Sequence, residues 1–273
     1  MSLTATMRNF GLMYGRNMRQ MPRIPVVLVF GIVMPVLQLV LFGSLFSTIT
    51  KLPAFEAAWP GVHYRAYIAP AILLFTVFVG MATSTAALIV DLRTGYFDKL
   101  RTTPARPWQV IVARLLAEMT RVFLQGLLVL LLSLALGATV ITGPIGALVM
   151  LLLSVFFSGC TAGLAVMALS MKTKSDQATQ SAFPLFFILL FLSSAFQAVD
   201  AMPGWLQNVV KYNPVNYLIE VLRQLMVGKN VGGEMVAEWP IVDMLIIVGV
   251  SLVAAALLGL LNLRVYRNSV ANR

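Results

Sequence analysis

DLRTGYFDKLRTTPARPWQVIVAR, residues 91–114, is the longest polar, charge-dense interval of this 273-residue chain. It carries Asp91, Arg93, Asp98, Lys99, Arg101, Arg106 and Arg114, and long apolar runs flank it on both sides. The chain is 59% hydrophobic and 11% charged. An ordinary soluble domain sits near about 45–50% apolar and about 25% charged. A soluble fold of this length could not hide so much apolar surface, so the runs read as membrane spans. The interval between two of them is then a surface offered to the water phase on one side.

Working outward from that loop, six runs are long enough for a hydrocarbon layer of ~30 Å at ~1.5 Å per residue. They lie near Pro25–Ser47, Ile68–Val90, Met119–Thr139, Ile145–Ser170, Ser181–Ala198 and Ile241–Arg264. With the N-terminus inside, fifteen of the twenty lysines and arginines fall on the inner side and five on the outer, which orients the chain with both termini in the cytoplasm. The net charge of +10 does not point to nucleic acid, because the basic residues are dispersed among apolar runs. The single cysteine, Cys160, sits inside a run. It excludes an internal disulfide and a multi-cysteine metal site, and reads as a small buried residue.

Residues 1–24 do not read as a cleavable signal. On a helical wheel Leu3, Met7, Phe10, Tyr14, Met18 and Met21 share one side, with Arg8, Arg16, Arg19 and Arg23 opposite. That pattern predicts an amphipathic helix lying in the headgroup layer. Residues 25–198 hold the first five spans, 199–240 an outer region, and 241–273 the last span and an inner tail.

The inner loop has its own pattern. Thr94 can cap a short helix that Pro104 ends, with Tyr96, Phe97 and Leu100 on its apolar face. A second helix begins at Pro107 and runs into the third span. On it Arg114, Glu118 and Arg121 stand at i, i+4 and i+7, so Glu118 can pair with either arginine. A plain solvated loop is the other reading; exposed aromatics on a capped helix favour a docking knob. In the outer region Pro203 can open a helix over PGWLQNVVK. Asn213-Pro214 is a cap followed by a first-turn proline. The next helix places Val215, Leu218, Ile219, Leu222 and Leu225 on one face and Glu220 with Arg223 on the other, and Gly228 stops it. Neither helix is long enough to span. Both read as re-entrant helices that cap a path.

Together DLRTGYFDKLRTTPARP (91–107), the six-span plan and MPGWLQNVVKYNPVNYLIEVLRQLMVG (202–228) resemble the permease subunits of type 2 ABC transporters, closest to the daunorubicin-resistance-like drug or lipid exporters. The resemblance covers nearly the whole chain. It implies an all-α polytopic membrane protein with six transmembrane helices, an N-terminal interfacial connecting helix, a cytoplasmic coupling helix and short outer re-entrant helices before the last span. It implies that Gly95, Tyr96, Phe97, Asp98, Leu100 and Arg101 contact a separate ATPase. It implies also that Trp205, Asn213, Pro214, Glu220 and Arg223 belong to an outer gate, and that the path lies between two permease chains in the plasma (inner) membrane. Many members have a glutamate-rich approach to the coupling helix; here the matching acids are Asp91 and Asp98.

The residues add a division of labour. No G-x-x-x-x-G-K-[ST] occurs, so the chain has no phosphate-cradling loop of that type. ATP and Mg are expected in a P-loop partner present in two copies, with no cofactor, metal site or catalytic residue in this chain. Gln38, Phe42, Phe75, Phe78, Phe186 and Phe191 are candidates for the path, because apolar walls with occasional amides suit a hydrophobic or amphipathic cargo. No charge stands at mid-depth in a span, which argues against a proton-coupled carrier. The competing reading is a membrane scaffold or a lipid-modifying membrane enzyme without an ATPase partner. The enzyme would need clustered acids or histidines, whereas the acids here are scattered.

Overall fold

In the computed structural model, which describes residues 3–20, 25–83, 91, 94, 107–175, 183–199 and 202–271, the chain is built mainly of helices. They are α1 (Leu3–Gln20), α2 (Pro25–Leu45), α3 (Pro53–Ala58) and α4 (Tyr64–Thr83). After the 91–107 interval come α5 (Pro107–Ala135) and α6 (Gly143–Thr173). Then follow α7 (Phe183–Phe191), α8 (Gly204–Lys211), α9 (Pro214–Val227) and α10 (Ile241–Ala271). Four of them, α4, α5, α6 and α10, are long and apolar enough to cross a membrane. The chain is an integral membrane protein of helical build.

α4 is the axis. Tyr67, Ile68, Leu74, Val77 and Met81 on it are wholly buried, and α2, α5, α6 and α9 all pack against it. Its neighbour α5 approaches through Gly126, where an added Cβ would lie 2.7 Å from Leu151 Cδ1 and 3.3 Å from Leu73 Cδ1. A small residue there is what brings three helices together, as expected where lipid supplies no hydrophobic drive for helix association. α10 lies at the periphery. Leu245, Val253 and Leu257 are about two-thirds exposed, a surface that suits lipid tails.

The Gly159-x-x-x-Gly163 motif forms a π-turn inside α6. It packs within the chain: a Cβ on Gly159 would lie 2.9 Å from Met119 Sδ, and one on Gly163 would lie 3.2 Å from Leu115 Cδ1. Just beyond it the Leu164 carbonyl accepts a hydrogen bond from Asn262 Nδ2 of α10 at 2.9 Å. Such turns disturb the i→i−4 ladder, and Asn262 supplies a donor there from the neighbouring helix.

Three expectations need correcting. The fifth run does not stay helical to Ala198: α7 ends at Phe191 and turns through residues 192–195. The reason is polar capture, since donors from α9 take carbonyls at the break, as described below. The second run, begun above near Ile68, is already helical from Tyr64, so Pro70 lies inside α4. Finally, the helical plan includes a two-stranded antiparallel hairpin, β1 (Lys229–Val231) with β2 (Glu234–Val236). Its turn is Gly232-Gly233, both at positive φ (66° and 95°). Two glycines between short strands are the signal for that turn.

Candidate functional site

At the loop end of the molecule, where Asp91 lies, five charged side chains form one cluster. Arg16 of α1 grips Asp91 with both guanidinium nitrogens, Nη2 to Oδ1 at 2.6 Å and Nη1 to Oδ2 at 3.1 Å. Arg114 of α5 donates to the same carboxylate, Nη1 to Oδ2 at 3.1 Å, and to Glu118 Oε1 at 3.4 Å. Arg121 closes the chain of pairs, Nε to Glu118 Oε2 at 2.9 Å, and donates to the Gly80 carbonyl of α4 at 2.5 Å. The spacing of Arg114, Glu118 and Arg121 on one helix face therefore yields both of the pairs it permits. Asp91, Arg114 and Arg121 are buried, while Arg16 keeps about a third of its side chain in the open (32%). Forked arginine–carboxylate pairing fixes direction as well as charge.

The cluster corrects two expectations. Arg16 is not on a free polar face of α1: it turns into the molecule, while Arg8 and Arg19 stay exposed. Asp91 is not a surface acid open to a partner, since two arginines of this chain hold it. Two further contacts seat α1 along α5: Tyr14 Oη with Thr120 Oγ1 at 2.9 Å, and Gln109 Nε2 donating to the Thr6 carbonyl at 3.3 Å. Gly95, Tyr96, Phe97, Asp98, Leu100 and Arg101 lie outside the described residues. The cluster sits at the root of the segment that carries them.

Mid-molecule, the six path candidates converge. Gln38, Phe42, Phe75 and Phe191 line one partly open cleft, together with Ala71, Ile72 and Phe196. Phe75, Phe78 and Phe186 line an adjoining, nearly filled groove. Phe187 and Leu190 of α7 wall both. The rings are ordered: Phe191 stacks on Phe187 (5.8 Å, 20°) and on Phe196 (5.1 Å, 24°), and Phe42 meets Phe196 edge-on at 84°. Phe78 and Phe186 are themselves in ring contact at 4.9 Å. Offset-stacked and edge-on arrangements suit the ring quadrupole.

At the opposite end, α9 clasps the break after α7. Asn213 caps α9, its Oδ1 accepting from Val215 N at 3.0 Å. Its Nδ2 meanwhile donates to the carbonyls of Leu189 and Leu192, each at 2.6 Å. One turn on, Asn216 Oδ1 accepts from Ser194 N at 2.7 Å, and Asn216 Nδ2 donates to Glu220 Oε1 at 2.8 Å. Arg223 is buried (2% exposed). It donates to the Ser194 carbonyl at 2.6 Å, to Ser194 Oγ at 3.2 Å and to the Tyr67 carbonyl at 3.3 Å. Its guanidinium carbon lies 3.9 Å from the centre of the Tyr67 ring and 5.7 Å from that of Trp59, within cation–π range. Non-helical backbone inside a membrane protein needs such partners.

This places the gate candidates unequally. Asn213 and Arg223 are buried and hold the α7 break; Trp205 is exposed on α8, Pro214 is exposed at the start of α9, and Glu220 is half-buried. The sequence reading set Arg223 beside Glu220 on a polar face, but Arg223 turns inward to backbone oxygens. It also missed Asn216, Ser194, Tyr67 and the Arg16–Asp91 pair. A signal for the first was present: Asn213, Asn216, Glu220 and Arg223 recur at spacings of three, four and three, one face of a helix.

Comparison with known proteins gives the same class. The transport permease named ycf38 of Cyanophora paradoxa is 31% identical over 76% of this chain and 70% of its own. The daunorubicin resistance ABC transporter permease protein DrrB1 of Streptomyces coeruleorubidus is 28% identical over 94% of this chain and 85% of its own. The multidrug ABC transporter permease YbhR of Escherichia coli K12 is 22% identical over 61% and 45%. Residues 8–227 match the ABC-2 type transporter family, a match that takes in α2 to α9, the ionic cluster and both clefts, and the chain belongs to that family of membrane permeases.

Proposed function

We propose that this chain is the membrane-spanning subunit of an ATP-driven exporter. It moves a hydrophobic or amphipathic molecule (a drug, lipid, glycolipid or polyketide) out of the cytoplasm or inner leaflet. Six spans cross the plasma (inner) membrane, with α2 and the 181–198 run that holds α7 joining the four long apolar helices, and both termini face the cytoplasm. Two such chains, alike or different, enclose the path. Two copies of a P-loop ATPase dock on Gly95–Arg101 and hold the ATP and Mg. Trp205, Asn213, Pro214, Glu220 and Arg223 contribute to closing the outer end.

The observation that carries this reading is the ionic cluster at Asp91. A docking segment can bias the membrane part only if its root is stiffly joined to helices that move with it. Asp91 is joined to α1 through Arg16, to α5 through Arg114, and by way of Glu118 and Arg121 to α4 at Gly80. A force on the loop therefore reaches the helices that wall the clefts. A scaffold has no need of such a linkage.

The test is to purify the tagged chain from its native membrane in mild detergent and identify what comes with it. The expected result is a stoichiometric P-loop ATPase that is lost with Phe97→Asp, while the variant still inserts. Recovery of the chain alone, under conditions that keep a control complex intact, would move the reading to a scaffold or membrane enzyme.

A further inference from the structure

α6 is not uniform along its length. At the π-turn of Gly159–Gly163 the Leu164 N–H reaches back five residues to the Gly159 carbonyl. The turn coincides with a boundary in the packing. The main apolar cluster takes in α6 as far as Phe157 and Ala162. From Leu164 on, α6 belongs to a second, smaller cluster, in which Leu164, Met167 and Met171 pack with Ile111 of α5 and Tyr266 of α10. Residues 143–158 thus pack with the body of the molecule, and residues 164–173 with its loop end.

The neighbouring helices differ in how they meet this boundary. α5 is unbroken from Pro107 to Ala135 and serves both clusters, with Ile111 in the smaller and Val122 and Val129 in the main one. α10 is tied to the far side of the turn, where Asn262 Nδ2 donates to the Leu164 carbonyl at 2.9 Å, and most of its outward side chains are open. It is free to follow residues 164–173. Two buried polar atoms at the joint, Ser158 Oγ just before the turn and Asn262 Oδ1 beside it, have no hydrogen-bond partner among the described residues. Native structures hold few such orphans, because each is costly. Two at one joint mark a packing that does not satisfy every group there, as in an element with a second arrangement close in energy.

We propose that the π-turn of α6 is a hinge, about which residues 164–173 swing together with α10, and that Asn262 pins the two. α5 is the lever. The Asp91 carboxylate holds Arg114, which stands about one helical turn beyond Ile111. A displacement of the loop root therefore reaches the smaller cluster through Ile111, and the loosened ladder of the π-turn absorbs it before the rest of α6 is disturbed. The arm, Leu164–Thr173, has ten residues and is about 15 Å long, so a kink of about 20° at its root moves Lys172 by about 5 Å. The hinge goes beyond the exporter reading and needs no ATPase, so it and the pull-down fail independently.

The test measures distances between spin labels by pulsed dipolar spectroscopy, on the full-length chain in phosphatidylcholine nanodiscs. Cysteines are placed at exposed positions in pairs. Met34 with Lys172 spans the hinge, Met34 with Leu148 stays within the body, and Lys172 with Arg267 stays within the moving part. Cys160 is buried, and the chain without added cysteines checks that it takes no label. The expected result is a Met34–Lys172 distribution broader than both controls by about 5 Å, the travel of the arm. Deleting Thr161 takes one residue out of the turn, restores the i→i−4 ladder and leaves both halves of α6 facing as before; it should narrow that distribution to the width of the controls. Asn262→Leu, close to isosteric, should broaden Lys172–Arg267 and leave Met34–Leu148 unchanged. A wild-type Met34–Lys172 distribution as narrow as the controls overturns the hinge, and this holds even if the deletion fails to fold. So does a breadth that survives the deletion. An unchanged Lys172–Arg267 distribution in Asn262→Leu overturns the pin.

Discussion

Arg16 and Asp91, 75 positions apart in the chain, are joined by two hydrogen bonds of 2.6 and 3.1 Å, and the same carboxylate holds Arg114 at 3.1 Å. One acid thus serves two arginines on two helices. A carboxylate shared in this way is worth most to the partner that is least able to reach water. Arg114 is buried, whereas Arg16 keeps about a third of its side chain exposed (32%).

The first prediction follows from that asymmetry. Asp91→Asn leaves buried Arg114 with Glu118, at 3.4 Å, in place of two acids, so the loss falls toward the lower end of the range of about 3–5 kcal/mol for breaking a buried pair. Arg16→Ala removes a partly solvated partner and leaves Asp91 with Arg114, so its cost is about 1 kcal/mol. Thermal unfolding of both variants in the same detergent compares them. Equal losses would mean that Asp91 does not organise the cluster.

Arg223 carries a second prediction. Its planar fork reaches the carbonyls of Ser194 and Tyr67 while its face lies against the Tyr67 ring. A lysine keeps the charge and loses both the fork and the stacking geometry. Arg223→Lys is therefore expected to lower stability by about 2–3 kcal/mol, close to the loss in Arg223→Gln, because charge is not what the site uses. A wild-type melt for the lysine variant would show that an ammonium suffices.

These two clusters also show what was legible in the sequence and what was not. Helix signals governed by neighbours within four residues could be read directly. The cap at Asn213, the stop at Gly228, the helix opened by Pro107 and the Glu118 pairs all stand where the spacing put them. Partners far apart in the chain could not be read that way. Arg16 fits the polar face of a surface helix equally well whether or not Asp91 lies opposite it. The end of α7 was misjudged for a related reason. Apolar composition over 181–198 argues for a continued helix, and the donors that break it come from residues 213–223, too distant for any local pattern. Phe42, Phe75 and Phe191 were chosen by residue type, and their meeting around Gln38 depended on how α2, α4 and α7 pack.

A third prediction concerns pH. The Tyr217 hydroxyl donates to the Asp243 carboxylate across the α9–α10 contact. That bond, with partial burial and the negative charge of Asp243 and Glu220 behind it, pushes the phenol up to about 12. A folded-state value above the ordinary one of about 10 contributes stability that is complete below about pH 10. That contribution is lost as pH rises through about 12. Tyr217→Phe is expected to melt lower than wild type by a constant margin, about 1 kcal/mol for a half-exposed bond, from neutral pH to about 10. The two curves then converge toward pH 12. A gap that stays constant through that window would show that the phenol's ionisation is not linked to folding.

The last prediction separates two jobs done by Asn213. Its Oδ1 caps α9, and its Nδ2 holds the Leu189 and Leu192 carbonyls at the end of α7. As a cap alone, aspartate would substitute with little loss, since the two are nearly equal at that position. As a clasp, aspartate fails, because it has no donor for the carbonyls and sets a negative charge against their oxygens. Asn213→Asp and Asn213→Ala are therefore both expected to cost about 2–3 kcal/mol. Pro214→Ala, which only frees one backbone angle at an exposed first-turn position, should cost about 1 kcal/mol or less. Unfolding midpoints of the three variants decide between the roles. A stable Asn213→Asp would reduce Asn213 to a helix cap and leave the α7 break to Asn216 and Arg223. Three-way agreement with the clasp would mean that any gating motion at this end carries the end of α7 and the start of α9 together.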